Sequence, residues 1–246
     1  MKKSIFYYFL FLSTFVFSQQ KTMRVVFKAE YLISDMQKKI SEQSLESKQY
    51  INQYLENYSK IEMELLFNNE ESLFKPIEKL DNGDEMFYKL ALNSVTENKI
   101  RYKNNKEKNC KAQAKFLDNT YLYDDQCDKY TWEILNDTST INGFKCFKAK
   151  TKKKAKQVPG LPSFKETEVY VWFTPDIASS FGPCGYDNLP GLVLSVTFGN
   201  VHIFASEISY VENQKIEKPN NGIFIKNEDE LIALGVNYMK EIQGKN

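Results

Sequence analysis

Four cysteines and one histidine are the residues of this 246-residue chain best suited to covalent chemistry. A thiol becomes a nucleophile when a base lies within hydrogen-bond reach, so Cys184 with His202 defines a thiol-enzyme reading. Two features weigh against it. His202 begins the apolar run VHIFASEIS, where an imidazole more often packs than catalyses, and Cys184, between Pro183 and Gly185, serves equally well as half of a disulfide. No residue is therefore assigned as catalytic, the expected protein is not an enzyme, and the Cys184–His202 dyad is kept as the alternative. Zinc sites want closely spaced ligands, and the chain has neither CxxC nor HxxxH, so no metal is expected. Asp124 and Asp125 read as solvated residues near a hairpin end. No G-x-S-x-G, P-loop or dinucleotide fingerprint occurs, and no cofactor is expected.

As crosslinks the cysteines are more informative. The runs AKFL and TYLY flank Asp118 and Asn119, a pair suited to a tight reversal, and predict a β-hairpin between Cys110 and Cys127. With Asp118 and Asn119 as the loop, facing residues have numbers summing to 237, which sets Cys110 opposite Cys127 at a non-hydrogen-bonded pair. Such pairs bring Cα atoms to about 4.5 Å, inside the disulfide range. Of the three pairings that four cysteines allow, this one leaves Cys146 with Cys184. That second bridge would close a loop of nearly forty residues and contribute on the order of 3 to 4 kcal/mol.

Disulfides require an oxidising compartment, and the N-terminus supplies the route to one. Lys2 and Lys3 precede an apolar run from Ile5 to Phe17, too short for an ordinary membrane span, and Val16 and Ser18 suit the minus three and minus one positions of a cleavage site. Residues 1–18 are read as a signal peptide and 19–246 as a single β-rich domain; an uncut N-terminal anchor is the alternative. Cleavage removes two lysines, leaving 31 basic against 32 acidic residues. That balance offers no basic face for nucleic acid. No later stretch is apolar enough for a transmembrane helix in the mature chain, whose expected address is the periplasm, the outer membrane's surface or the medium.

With 42% hydrophobic and 14% aromatic residues the chain can build a sizeable core, and its patterning is mostly period two. MRVVFKAEYLI (23–33) places Val25, Phe27, Ala29 and Tyr31 on one face. YSKIEMELLF (58–67) does the same with Ile61, Met63, Leu65 and Phe67, although Tyr58 to Ile61 is out of step. Between them, residues 34–54 read as one or two short helices or a long loop. Short runs at 72–77, 86–92 and 99–103, separated by turn formers, predict a meander. Strands are expected at 130–135 and 144–150, joined by a turn over 136–143. Lys148, Lys150, Lys152, Lys153, Lys154 and Lys156 then lead into a proline-interrupted connection, Val158 to Pro162. This basic run reads as a solvated loop that discourages edge pairing, or alternatively as a contact for anionic lipid. ETEVYVWFT (166–174) is a further strand, and Gly199 and Asn200 join two apolar strands as a hairpin. From Asn227 to Ile242 the period becomes helical, with Asn227 or Asp229 as cap.

One stretch repeats a known pattern. Trp132 to Ser209 resembles the GLPGLI family, exported proteins of Bacteroidetes-type bacteria without an established activity. The resemblance rests on GYDNLPGLVL (185–194), preceded by WFTPDI (172–177) and FGPCG (181–185), with WEI (132–134) and INGFKCFKA (141–149) further upstream. Asn188 stands where the family name has glycine, Val193 where it has isoleucine, and Cys184 where an aromatic is expected. The resemblance implies export and a β-rich domain and transfers no catalytic residue. In physical terms, Pro190 fixes φ and Gly191 opens a conformation closed to other residues, so the motif is expected to be a corner with Leu189 and Leu192 buried on either side. Its functional alternative is a wall of a ligand groove, with Trp172, Pro183, Tyr186, Leu189, Pro190, Gly191 and Leu192 as contacts. The expected fold is mainly β, with α+β as the variant: a single curved antiparallel sheet or half-barrel meander with a C-terminal helix packed on it. The expected role is non-enzymatic: binding an apolar or amphiphilic molecule or an outer-membrane protein partner, with a purely structural component of an outer-membrane complex as an alternative beside the thiol enzyme.

Overall fold

The computed structural model describes residues 21–33, 40, 42–78, 85–154, 166–212 and 214–243. The leader and the connection from Val158 to Pro162 lie outside them. Twelve strands form one sheet in the order β12-β6-β5-β4-β3-β2-β1-β11-β10-β9-β8-β7. Every neighbouring pair is antiparallel except β12 (Ile223–Phe224), which runs parallel to β6 (Asn119–Asp124). Among the described residues three α-helices accompany it: α1 (Leu45–Glu56), α2 (Glu85–Thr96) and α3 (Glu228–Gln243). The expected mainly β architecture with a terminal helix is the observed one.

The central strands follow their patterns. In β1 (Thr22–Tyr31) Val25, Phe27 and Ala29 are buried, as are Met63, Leu65 and Phe67 in β2 (Glu62–Phe67). The out-of-step residues before β2 form a 3-10 turn, Asn57–Lys60, which sinks Tyr58 into the core. After β3 (Glu71–Pro76), the run at 86–92 is not a strand but the heart of α2. Its buried residues Phe87, Tyr88, Ala91 and Val95 follow a helical spacing, which short apolar runs conceal when only a few residues are weighed.

The sheet cannot lie flat. β6 and β7 (Glu133–Ile141) are ten inter-strand gaps apart, about 48 Å in a flat sheet, yet only nine peptide steps join Asp124 to Glu133 and reach about 30 Å at most. The sheet therefore curls until its two ends approach. Lys153, at the end of β8 (Phe144–Lys153), reaches Glu97 beside β4 (Lys99–Asn104) at 2.7 Å across the opening.

Two turns correct the sequence reading. The hairpin of β5 (Asn109–Phe116) with β6 turns at Leu117 and Asp118, so facing numbers sum to 235 rather than 237. Leu117 accepts a φ of 52° there, and Asn119 joins the strand. The Cys110–Cys127 disulfide forms nonetheless, with a Cα separation of 5.4 Å, because the chain leaves the ladder after Asp125 donates to the Cys110 carbonyl at 2.9 Å and folds back over the strand end. The expected turn over 136–143 is mostly strand: β7 runs to Ile141, and Asn142 and Gly143, both at positive φ, make the reversal. The polar residues from Asn136 to Thr140 disguise a strand because β7 is a sheet edge facing solvent.

Candidate functional site

The remaining strands, β9 (Thr167–Thr174), β10 (Leu192–Phe198) and β11 (Val201–Val211), form the far half of the curl. The segment from Pro175 to Gly191 between β9 and β10 folds into its interior. Leu189, Leu192, Tyr186 and Pro183 are buried, Gly191 is enclosed and Pro190 is exposed. A Cβ on Gly191, at φ 156°, would sit 2.2 Å from the Thr174 carbonyl oxygen. Asn188 takes φ 67°, a conformation Asn tolerates better than most residues. The motif is thus the expected corner. Leu189, Pro190 and Gly191 also edge a small hollow with Asn68, Asn105 and Ser180. Trp172 is half-buried on the sheet face opposite Val171 and Phe173, with Lys148 5.6 Å above its ring.

The corner is fastened to β4. Lys103 bonds Asp187 at 3.1 Å and Asn188 at 2.6 Å, and donates to the Cys127 carbonyl at 2.8 Å; the Trp132 indole donates to the Asp187 carbonyl at 2.7 Å. Burial pushes the Asp187 carboxyl up to about 6, although Lys103 pulls the other way. Lys103 is one of three cations on a single face of β4. Lys99, Arg101 and Lys103 are only 3%, 9% and 7% exposed and point into the curl. Their signal in the sequence is KIRYK, a period-two alternation of charge that places all three on one side of a strand.

Above this face opens a cavity of about 870 Å³, between the β6–β7 crossing, the end of β8 and the first turn of α3. Arg101, Glu97, Cys184 and Tyr186 line its depth, and Lys150, Lys152, Lys153 and Lys154 its rim. The basic run from Lys148 to Lys153 is therefore part of β8 rather than a loop, and Lys150 to Lys154 contribute a wall of the cavity; Lys156 lies outside the described residues. Glu97 gathers Lys99 (2.8 Å), Arg101 (2.9 Å) and Lys153 (2.7 Å), and Lys99 also pairs with Glu228 on α3. Tyr130 stacks on Tyr186 at 5.1 Å and tilts against Trp132 at 5.9 Å, which makes one wall aromatic.

The second disulfide is not formed. Cys146 and Cys184 are free and buried, the former donating to the Phe144 carbonyl at 3.5 Å and the latter to the Val95 carbonyl at 3.4 Å. They belong to separate places, β8 beside the sheet edge and the 3-10 turn Pro183–Gly185 under the cavity. Nor is the Cys184–His202 dyad assembled. Burial pushes the Cys184 thiol up to about 12, against the pull of Arg101. His202 is engaged elsewhere, its Nε2 with Ser195 Oγ at 2.9 Å and its Nδ1 with Glu30 at 2.7 Å. That relay has the connectivity of a serine-nucleophile triad. Ser195, however, is 2% exposed: it lies just after a register irregularity in β10, paired with Trp172 of β9 and Phe204 of β11, and its hydroxyl is buried.

Residues 132–195 match a family described only as protein of unknown function (Porph_ging). The match covers about a quarter of the chain, from Trp132 to Ser195, and includes the whole corner. No curated protein matches the sequence. The fold is similar to that of PNGF-II in two crystal forms. In the C2 form the TM-score is 0.51 at 14% identity, covering 89% of this chain and 32% of that one; in the P21 form it is 0.52 at 14%, covering 87% and 33%. This chain spans about a third of PNGF-II, and at that identity the likeness concerns the fold.

Proposed function

We propose that this chain is an exported envelope protein of the GLPGLI type whose curled sheet binds a small amphiphilic molecule, or one end of a larger one, without transforming it. The observation that carries the reading is the cavity: about 870 Å³, walled by aromatic rings on one side and by charged side chains on the other. Volumes of this size suit small ligands, and the mixed lining favours an amphiphile over a purely apolar cargo. A binding role rather than catalysis is supported by how the reactive groups are held. The Cys184 thiol is kept protonated by burial, Glu97 is clamped by three cations, and Ser195 lies under its neighbours.

The test is to recover the protein from the envelope of its natural host, sequence its N-terminus and extract bound small molecules for mass spectrometry. The reading expects a chain beginning at Gln19 and a co-purifying amphiphile depleted by Trp132→Ala. A chain retaining its leader in the cytoplasm contradicts export, and an extract identical to that of the Trp132→Ala protein contradicts binding.

A further inference from the structure

Two buried donors beside the cavity lack partners among the described residues: Arg101 Nε–H and Tyr123 Oη–H. They share a cross-strand row, Arg101 on β4, Ala112 on β5 and Tyr123 on β6, in which the alanine leaves the space between the two long side chains unfilled by its own atoms. The guanidinium is otherwise committed. Nη1 donates to the Thr96 carbonyl at 3.0 Å and Nη2 to Glu97 at 2.9 Å. An arginine Nε–H can only donate, so whatever satisfies it brings an acceptor. Buried polar groups are paired in all but a few cases, so an orphan in a cavity wall needs a partner that the described residues do not supply.

Beneath the cavity three cations, Lys99, Arg101 and Lys153, face two acids, Glu97 and Glu228, which leaves positive charge at the floor. At the mouth Asp124 pairs with Lys111, Asp125 with Lys129 at 2.6 Å and Glu133 with Lys150 at 3.3 Å, and Glu168 and Asp229 also line it. Lys152 and Lys154 stand exposed on the rim. We propose that the cavity floor is an oxyanion site, taking an organic carboxylate or phosphate whose oxygen accepts from Arg101 Nε–H while its apolar body lies against Tyr130 and Trp132. The inference rests on the binding reading and narrows it to a ligand class. Guanidinium and carboxylate or phosphate match in geometry and charge, which makes this contact the anchor and the aromatic wall a selector for the body.

The test follows the arginine Nε–Hε resonances of the isotope-labelled exported chain during titration with phenyl phosphate, benzoate and, as a neutral control, benzyl alcohol. The inference expects a saturable shift at Arg101 with phenyl phosphate, benzoate or both, and the stronger of the two identifies the phosphate or carboxylate source. Arg101→Lys keeps the charge but loses the Nε donor, and should weaken that binding by about tenfold or more. Tyr123→Phe removes one hydroxyl, leaves the packing in place and should weaken it less. Near-ultraviolet circular dichroism shows that both variants are folded. If neither anion moves the Arg101 resonance, or if both variants bind as the parent does, the oxyanion site is wrong. Benzyl alcohol binding at Trp132 in that case would leave the broader binding reading standing, whereas no binding by any probe together with a bare envelope extract would remove both.

Discussion

At the scale of single residues, this protein keeps its ionisable groups inside by pairing them, and the incomplete pairs are the informative ones. Asp187 is the clearest. A carboxyl whose proton is held more tightly in the folded than in the unfolded chain favours folding at low pH, and its contribution falls as pH rises from about 4 to about 6, then stays constant. The stability of the parent relative to Asp187→Asn should therefore fall by up to about 3 kcal/mol between pH 4 and pH 7 in urea melts. A difference that grows with pH would mean that Lys103 outweighs burial. Tyr123 offers a second test. Its hydroxyl is buried without a partner, so Tyr123→Phe should leave the ligand-stripped protein unchanged or more stable by up to about 1 kcal/mol. A loss of stability would show that the hydroxyl is satisfied. At Ser195, a fluorophosphonate probe should leave the side chain unmodified in the native protein; labelling abolished by His202→Ala would restore an enzyme reading.

Elements were legible where one force dominated. Strands β1 and β2, the hairpin at Gly199 and the terminal helix declare themselves because their apolar residues keep a strand or helix period; β2 and β10 are buried on both faces. Asn227 caps α3 as expected, accepting from the Glu230 amide at 3.2 Å. The reading failed at β7, which exposes nearly everything and so looks like a turn. β4 was expected from the run at 99–103 and is a strand, but the burial of its lysines and arginine is not announced by their type. The Cys110–Cys127 pair was found with the wrong register because a bend at the end of β6, which no local pattern announces, makes up the two-residue slip. The corner was read correctly because its chemistry is local: proline, glycine and two flanking leucines. Gly191→Ala should cost about 3 kcal/mol or more, since the added carbon meets the Thr174 backbone, whereas Asn188→Gly should change stability by no more than about 1 kcal/mol. Equal and small effects at both positions, measured by thermal unfolding, would mean that the corner is not as tightly fitted as described.

For the whole molecule, the short crossing between β6 and β7 is decisive. It draws the two ends of a twelve-stranded sheet together, and the opening that remains is walled by whatever those ends carry. The cavity therefore collects residues from distant parts of the chain, Arg101, Tyr130, Lys153 and Glu228 among them, which explains why spacing could not reveal it. Lysine acylation followed by peptide mass spectrometry tests its role directly, comparing protein freshly isolated from its natural envelope with the same protein stripped of small molecules by unfolding and refolding. A binding cavity predicts that Lys150, Lys152, Lys153 and Lys154 are protected in the fresh protein and become reactive after stripping, while the exposed Lys106 and Lys115 react equally in both. Identical reactivity at the four rim lysines before and after stripping would contradict the account.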